Sequence, residues 1–250
     1  MSDTIIKVKN LKKIYGELTV LQNIDFKIRR GEIFLIAGGS GCGKSTLLRQ
    51  MIGLEEPTDG LVEIDGLNFQ DNYSEIINKI GILFQSGGLF ASMTLAENIA
   101  VVLKKHTDLS EDSIAEIIDM KLRAVGLEGF DGYLPNEISG GMKKRAALAR
   151  AMALDPEILF FDEPSSGLDP LTSAEMDSLI KDINKNLGTT MVIISHDLAS
   201  IINIADRILM LDKSVKGTLI IGTPEELKNN ENELVHRFFN RETKEDYLNQ

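Results

Sequence analysis

The sequence predicts an α/β fold whose core contains a parallel sheet, with an antiparallel β lead-in before the core and a helical subdomain inserted into it. Short apolar runs typical of buried strands occur at residues 33–37, 158–161 and 191–194. A helical pattern at residues 173–187 separates the second run from the third, and this order of elements indicates a parallel sheet. The first thirty residues contain two β-type runs joined by turn residues, which predict the antiparallel lead-in.

The middle third of the chain has helical rather than strand-like patterns. Ser110 can cap a helix whose apolar residues repeat with a helical period, and Gly126 is a suitable C-terminal stop for it. A second helix is predicted at residues 142–154, closed by Pro156. These helices form the expected insertion into the core.

We therefore expect one domain over residues 1–250. Its core occupies residues 1–85 and 157–222, and its helical subdomain occupies residues 86–156. A helical tail at residues 223–250 begins with a capping box at Thr223 and Glu226. The tail also carries an apolar stripe, which consists of Leu234, Val235, Phe238 and Phe239.

Charge and apolar content exclude several classes of protein. Lys and Arg number 27 against 38 Asp and Glu, and the resulting net charge of -11 disfavours a nucleic-acid partner. No apolar run approaches the roughly 20 residues that cross a bilayer, and the first ten residues lack the features of a signal peptide. Cys42 is the single cysteine, which suits a reducing compartment. These observations predict a globular cytoplasmic protein.

A glycine-rich segment lies between the first buried run and a helical pattern at residues 44–52. Residues 38–45 match the pattern G-x-x-x-x-G-K-[ST], in which backbone N–H groups and a helix N-terminus surround a polyphosphate. Lys44 is expected to neutralise the β and γ phosphates, and Ser45 to ligate Mg²⁺. Because Cys42 lies at a helix N-terminus, we also expect its thiol to have a lowered pKa and to react with maleimide unless MgATP protects it. The residues expected to contact ATP here are Gly38, Gly39, Ser40, Gly41, Cys42, Gly43, Lys44, Ser45 and Thr46.

Two carboxylates follow the buried run at residues 158–161. Asp162 and Glu163 thus lie at the C-terminal end of a strand, which is the end at which open α/β sheets bind ligands. We expect Asp162 to hold Mg²⁺ through its water shell, and Glu163 to orient or deprotonate the water that attacks the γ-phosphate. With the glycine-rich loop, this pair predicts a P-loop NTPase, a class that includes kinases, GTPases and helicases.

Further residues narrow that class. Residues 138–142 read Ile-Ser-Gly-Gly-Met at the start of a predicted helix, and they resemble the signature motif of ABC ATPases. The resemblance covers nearly the whole chain: Gln85 stands where the family has its Q-loop glutamine, and residues 166–169 resemble its D-loop. His196 is similarly placed to the switch histidine, and Tyr15 to the adenine-stacking aromatic residue. The resemblance implies an ABC ATPase fold and hydrolysis of MgATP.

The resemblance also implies a role for each of these residues. The ring of Tyr15 can stack on adenine, Gln85 can reach Mg²⁺ or the attacking water, and His196 can hydrogen-bond the γ-phosphate as charge develops. Asp169 is expected near the nucleotide as part of the D-loop. The expected catalytic residues are Glu163, His196 and Gln85, and the expected Mg²⁺ ligands are Ser45, Gln85 and Asp162.

The signature motif implies a homodimer. Ser139, Gly140 and Gly141 form a helix N-terminus suited to a γ-phosphate, although the phosphate loop of the same chain already has Lys44 for that task. In the ABC family these residues act across an interface, so that two chains meet head to tail and each ATP lies between them.

Departures from the common ABC pattern resemble the ATPases of Mla-type systems. The signature ends in Met142 where most transporters have Gln, and residues 83–90 read Leu-Phe-Gln-Ser-Gly-Gly-Leu-Phe. Two segments near the C-terminus, residues 222–227 and 236–239, also resemble those of the Mla-type ATPases. This resemblance implies phospholipid transport between membranes and a peripheral location at the cytoplasmic face of the inner membrane. It also implies three partners besides a second copy: a membrane permease, an MCE lipid-binding protein and a small regulatory subunit.

Alternative interpretations remain at this point. The first alternative is an ATPase subunit of another ABC importer or exporter, in which Met142 is only drift in the signature and the active site is the same. A soluble ABC protein of DNA repair is disfavoured because no sustained heptads lie between Gln85 and Ser139, and a binding module is disfavoured because Glu163 and His196 are present. If a permease is the partner, its cytoplasmic helix is expected near Phe90, Met93 and Leu95, unless these residues fill the core of the subdomain.

Overall fold

The computed structural model describes residues 3–242 and 245. Its strands, numbered along the chain, are β1 (Thr4–Tyr15), β2 (Leu18–Arg29), β3 (Ile33–Gly38), β4 (Asp59–Ile64), β5 (Leu67–Asn68), β6 (Ile80–Leu83), β7 (Ile158–Asp162), β8 (Thr190–Ile194), β9 (Arg207–Asp212) and β10 (Gly217–Gly222). Its helices are α1 (Lys44–Met51), α2 (Phe69–Lys79), α3 (Leu95–His106), α4 (Glu111–Ala124), α5 (Gly140–Ala151), α6 (Pro170–Leu187), α7 (Leu198–Ile204), α8 (Pro224–Lys228) and α9 (Glu233–Asn240).

The chain divides into two compact units. One contains the residues up to Gly66 together with those from Ile193 onward, and the other is Leu67–Val192. None of the helices within residues 3–242 and 245 is long and apolar enough to cross a membrane.

The first unit contains the predicted antiparallel lead-in and a parallel strand pair. Strand β1 pairs antiparallel with both β2 and β4, with Lys7 opposite Lys27 and Glu63. Strand β3 pairs parallel with β9, and β10 pairs antiparallel with β9. All six residues of β3 are buried, as expected for an apolar run covered on both faces. The glycine-rich loop and α1 follow directly from this buried strand.

In the second unit, the parallel strands β6 and β7 accompany a group of helices. Helices α3, α4 and α5 contact one another, and α5 also contacts β6. The approach of α5 to β6 is close at Gly81, because a side chain there would collide with the carbonyl oxygen of Ala151. Strand β7 buries its four apolar residues and ends at the half-buried Asp162.

Several predicted helix ends are confirmed. The Ser110 side chain accepts a hydrogen bond from the backbone N–H of Ser113, 3.2 Å away, and thereby caps α4. The predicted capping box of α8 is present, with reciprocal bonds between Thr223 and Glu226. The predicted start of α5 at residue 142 is wrong, because Ser139 caps the helix and α5 begins at Gly140. The helix also ends at Ala151, three residues earlier than predicted.

Two apolar groups named from the sequence are partly buried and partly exposed. Leu95 is 1% exposed and belongs to the core, so it cannot form part of a docking face, whereas Phe90 is 51% exposed. On α9, Val235 and Phe239 are buried in their own chain, but Leu234 is 42% exposed. The tail beyond residue 242, apart from residue 245, lies outside the described residues.

Candidate active site

The glycine-rich loop can be formed only with glycine at two positions. Gly38 and Gly43 have φ angles of 143° and 103°, a region that disfavours residues with a side chain. A Cβ atom on Gly38 would collide with the carbonyl oxygen of Leu211, and one on Gly43 would lie 2.6 Å from a methyl carbon of Leu21. At Gly39, by contrast, a Cβ atom would meet no atom within 4 Å. One side of the loop is therefore closely packed against the protein, and the side at Gly39 is open. The open side leaves room for a phosphate group.

Lys44 and the first turn of α1 complete this loop. The Lys44 ammonium group donates hydrogen bonds to the carbonyl oxygens of Gly38 and Gly39, at 2.7 and 3.2 Å, so that its charge lies across the loop. The N-cap residue of α1 is Gly43, which has no side chain to accept from the first N–H groups of the helix. An anion can satisfy these donors. Ser45 is exposed in the same turn, and Thr46 is buried.

The Tyr15 ring is anchored near the same turn. Its hydroxyl donates to the Glu55 carboxylate, which also forms ion pairs with Arg49 at 3.1 Å and Lys13 at 3.5 Å. The hydrogen bond to Glu55 raises the pKa of the Tyr15 hydroxyl above its usual value, with a smaller opposing effect from Thr46 on α1. The ring is 43% exposed. It therefore offers an aromatic face to solvent beside the glycine-rich loop.

The environment of Cys42 differs from the prediction. Its side chain is 2% exposed and lies beneath the loop, with Sγ 2.8 Å from the position of a Cβ atom on Gly38. Burial raises the pKa of the Cys42 thiol, and the charge of Lys44 only partly opposes this. The expectation of a lowered pKa is therefore wrong, because desolvation outweighs the helix N-terminus.

His196 follows β8 at the start of a tight turn. Its side chain is exposed. The turn is fixed by its neighbours: the Ser195 hydroxyl accepts from the backbone N–H of Asp197 at 3.1 Å, and Asp197 in turn caps α7. The chain thus holds His196 at a defined point between a buried strand and a helix.

In the second unit, the backbone changes direction at Glu163. Its φ angle is 52°, which is uncommon for a residue with a side chain. The carbonyl oxygen of Glu163 accepts two hydrogen bonds, from the N–H of Ser166 at 3.1 Å and from the ammonium group of Lys144 at 3.3 Å. Strand β7 therefore ends in a sharp turn that starts directly after Asp162.

Gln85, Ser166 and Lys144 are connected to this turn. The Gln85 side-chain amide donates to the Ser166 hydroxyl at 3.2 Å, and the Lys144 ammonium group donates to the Gln85 carbonyl oxygen. Lys144 is 7% exposed. Burial lowers the pKa of Lys144, and the charges of Asp162 and Glu163 oppose this effect. The structure thus brings together Gln85 and Glu163, which were both predicted as catalytic.

Sequence reasoning missed Lys144. One signal was available: Lys144 lies on the same helical face as Gly141, Ala147 and Leu148, and all of these are buried. A lysine on the apolar face of a helix indicates a specific buried partner. That partner is a pair of main-chain carbonyls, and no sequence pattern identifies such a pair.

The signature residues form the first turn of α5. The Ser139 hydroxyl accepts from the N–H of Met142 at 3.2 Å, and both Ser139 and Gly140 are exposed. Gly141 is buried, and a Cβ atom there would lie 2.6 Å from a methyl carbon of Thr172. Glycine is therefore required where α5 approaches the start of α6.

The Asp169 side chain forms hydrogen bonds with the first turn of α6. Its carboxylate accepts from the backbone N–H groups of Leu171 and Thr172, both at 3.1 Å, and from the Thr172 hydroxyl at 2.6 Å. The hydrogen bond from the Thr172 hydroxyl contributes most to lowering the pKa of Asp169. Asp169 thus caps α6 and is ionised at neutral pH.

The loop from Phe84 to Met93, which we call the Gln85 loop, is held by two side chains that the sequence did not single out. The Arg150 guanidinium donates to the carbonyl oxygens of Gly87 at 3.1 Å and Gly88 at 2.5 Å. Asn98 is fully buried, and its amide exchanges hydrogen bonds with the backbone of Phe90 at 2.7 and 3.1 Å. The loop therefore has a fixed shape even though Phe90 is exposed.

A glycine-rich loop between a buried strand and a helix, with a pair of carboxylates at another strand end, defines the P-loop class of nucleotide hydrolases. Comparison with known proteins identifies the family. Residues 21–166 match the ABC transporter family.

Two relatives illustrate the match. The intermembrane phospholipid transport system ATP-binding protein MlaF of Haemophilus influenzae is 39% identical over 249 residues, covering 97% of this chain and 93% of that protein. The probable ribonucleotide transport ATP-binding protein mkl of Mycobacterium leprae is 40% identical over 239 residues, covering 94% of this chain and 68% of that protein.

A solved structure supports the same identification. The dimeric structure of a post-hydrolysis state of the ATP-binding cassette MJ0796, bound to ADP and Pi, has a TM-score of 0.79 and 32% identity. It matches over 88% of this chain and 98% of that chain. The chain belongs to the ABC transporter family and is an ATP-binding ATPase of that family. The predicted fold class is confirmed with it.

The position of Cys42 gives a testable result. Because its thiol is buried and its pKa is raised, the fraction of thiolate at pH 7 should be smaller than for a free thiol. We expect maleimide at pH 7 to leave the folded protein unlabelled and its ATPase activity intact, with or without MgATP. Labelling should accelerate only at a higher pH than for a small thiol, and the unfolded protein should label fully. Rapid labelling that MgATP prevents would instead show an exposed thiolate.

Proposed function

We propose that this chain is the ATP-hydrolysing subunit of a phospholipid transport system, where two copies power a membrane permease from the cytoplasmic face of the inner membrane. The observation that carries the proposal is the turn at Glu163, where Lys144 links the main chain of this strand-end glutamate to that of Gln85. Similarity to MlaF over almost the whole length of both chains supports the lipid-transport assignment. The Mla-like features Met142 and Phe90 lie in regions that this match covers.

The phosphate loop supplies binding and charge neutralisation. Lys44 and the N–H groups of the loop bind the β and γ phosphates of ATP, and the ring of Tyr15 stacks on the adenine. Glu163 accepts a proton from the attacking water, or orients it, while Gln85 helps to position the same water. His196 donates a hydrogen bond to the γ-phosphate as negative charge accumulates there.

The chain also has suitable groups for Mg²⁺. Ser45, Gln85 and Asp162 provide hydroxyl, amide and carboxylate oxygens, which are the ligand types that Mg²⁺ prefers. Within residues 3–242 and 245, no group of three or more His, Cys, Asp or Glu side chains is close enough to hold a metal ion. This fits an ion shared with substrate phosphates rather than one held by a protein cage. When bound, Mg²⁺ offsets the negative charge of the phosphates.

A second copy of the chain completes the site. The exposed first turn of α5 presents Ser139 and Gly140 at a helix N-terminus, where N–H groups and the helix dipole favour an anion. We propose that this turn contacts the ATP bound by the partner, and that Asp169 borders the same interface. The dimeric form of the MJ0796 cassette supports this arrangement.

The Gln85 loop is our candidate docking surface for the permease. Arg150 and Asn98 fix its backbone, and the loop presents the partly exposed rings of Phe84 and Phe90. A preformed loop with exposed aromatic rings suits an apolar helix from a partner, because little conformational entropy is lost on binding. We assign this role to the helical region at residues 86–156, and propose an MCE lipid-binding protein and a small regulatory subunit as further members of the complex.

A different transported molecule is the second candidate. The similarity to mkl, described as a probable ribonucleotide transport protein, has about the same identity as that to MlaF. This chain spans a smaller share of mkl than of MlaF, however, which favours the lipid system. The ATPase site would be the same in either case.

Replacing Glu163 tests the catalytic assignment. Glu163→Gln keeps the size of the side chain but removes the base, so hydrolysis should slow by about a hundredfold to ten-thousandfold, a barrier increase of about 3 to 5 kcal/mol. MgATP binding should survive because the phosphate loop is unchanged. ATP that is bound but not hydrolysed should hold two copies together in light scattering. A variant that hydrolyses ATP near the wild-type rate would refute the assignment.

A second substitution in the same experiment tests the proposed contact between the two copies. Adding Ser139→Arg to Glu163→Gln should abolish the ATP-dependent dimer, because the larger side chain blocks the contact with the nucleotide of the partner. ATP binding to the monomer should be unaffected. A dimer that survives this change would argue against a role for α5 at the shared site.

Purification from native membranes tests the transport assignment. We expect the chain to co-purify with a membrane permease, an MCE protein and bound phospholipid. Phe90→Asp should release the permease while leaving basal ATPase activity, since the loop backbone is held by Arg150 and Asn98 and not by this ring. Recovery with a sugar, amino-acid or nucleotide permease would contradict the phospholipid proposal and leave the ATPase assignment intact.

A further inference from the structure

We propose that Lys144 is a positioning residue for ATP hydrolysis, because its buried ammonium group holds the main-chain carbonyls of Gln85 and Glu163 and so fixes the turn that carries the catalytic carboxylate. The inference rests on the proposed catalytic role of Glu163. Lys144 itself belongs neither to the phosphate loop, nor to the pair of carboxylates after β7, nor to the first turn of α5.

The geometry places Lys144 between two segments that are far apart in sequence. Lys144 extends from the second turn of α5, is 7% exposed, and donates to the carbonyl oxygen of Gln85 and to that of Glu163 at 3.3 Å. Gln85 and Glu163 in turn both contact Ser166, through the Gln85 amide and the Glu163 carbonyl. One ammonium group therefore links the Gln85 loop to the turn after β7.

The Glu163 turn needs such a link. A left-handed backbone conformation is unfavourable for a residue other than glycine and persists only where its surroundings enforce it. The enforcing contacts here are the two hydrogen bonds that the Glu163 carbonyl accepts, one from Ser166 and one from Lys144. Of these donors, Lys144 is the charged one, and charge-assisted hydrogen bonds are the stronger kind.

A second buried lysine in the same unit is compensated differently. Lys121 is 4% exposed and is paired with the carboxylate of Asp155, the common way to compensate a buried ammonium group. The hydrogen bonds of Lys144 go to main-chain carbonyls instead, although the carboxylates of Asp162 and Glu163 are close enough to influence its charge. Lys144 therefore holds the backbone at Gln85 and Glu163 in place, and its positive charge also lies near the two carboxylates.

Removal of the ammonium group tests the proposal. Lys144→Met keeps the length and apolar stem of the side chain, and kcat for ATP should fall about 10- to 100-fold, as expected when a reacting group is misplaced by about 1 Å. The KM for ATP should change less than about twofold, because uniform substrate binding is not affected. Lys144→Gln, which keeps neutral amide donors, should lose less than the Met variant, and it replaces that variant if the latter does not fold.

Lys121→Met is the matched control. It removes an equally buried ammonium group from the same unit and should lower thermal stability while leaving kcat within about twofold of the wild type. If Lys144→Met loses stability with an unchanged kcat, as this control is expected to do, the role of Lys144 is structural and the proposal is overturned.

A double-mutant cycle separates action through Glu163 from an independent effect. In a Glu163→Gln background, measured by single turnover, Lys144→Met should slow hydrolysis much less than it does in the wild type, because the carboxylate that it positions is already lost and only its contact with Gln85 remains. The same 10- to 100-fold loss in both backgrounds would overturn the proposal while leaving Glu163 as the catalytic base. A wild-type rate for Glu163→Gln alone would instead refute the proposed active site.

Discussion

The backbone N–H groups that begin helices α1 and α5 need acceptors that neither helix can provide. At α1, glycine at the N-cap leaves this need to the loop and to an anion, and glycine is also required there because Leu21 packs against it. At α5, Ser139 satisfies one donor, and the close approach of Thr172 requires Gly141. Glycine in these two first turns thus permits close packing by a neighbouring side chain. The unpaired N–H groups of these turns are the donors that we propose bind the phosphates of ATP.

The turn after β7 places the proposed catalytic carboxylate directly after a buried strand. An apolar strand places Asp162 at its end, but it cannot by itself aim the next carboxylate. The left-handed conformation at Glu163 does this, and the hydrogen bonds from Ser166 and Lys144 hold it. Because Lys144 also contacts Gln85, a displacement of the Gln85 loop would change the support of the Glu163 turn. The proposed permease surface and the proposed base are therefore physically connected through α5.

The sequence predicts those features that depend on local periodicity and capping. Buried strands, the caps at Ser110 and Thr223 and the glycine-rich loop all follow from patterns within a few residues. Features that depend on long-range packing were either not predicted or predicted wrongly. Lys144 is polar, and only the tertiary fold provides the carbonyls that make its burial favourable. Cys42 lies at a helix N-terminus as expected, but its pKa follows from burial beneath the loop, which a linear motif does not reveal.

The central claim is that each ATP is bound by the phosphate loop of one copy and the signature turn of the other. Mixing two inactive variants, Lys44→Ala and Ser139→Arg, tests this most directly. In a head-to-tail dimer, one site of each mixed pair combines the intact phosphate loop of the second variant with the intact signature of the first. The mixture should then recover ATPase activity up to about a quarter of the wild-type value. A mixture no more active than either variant alone would contradict the shared site.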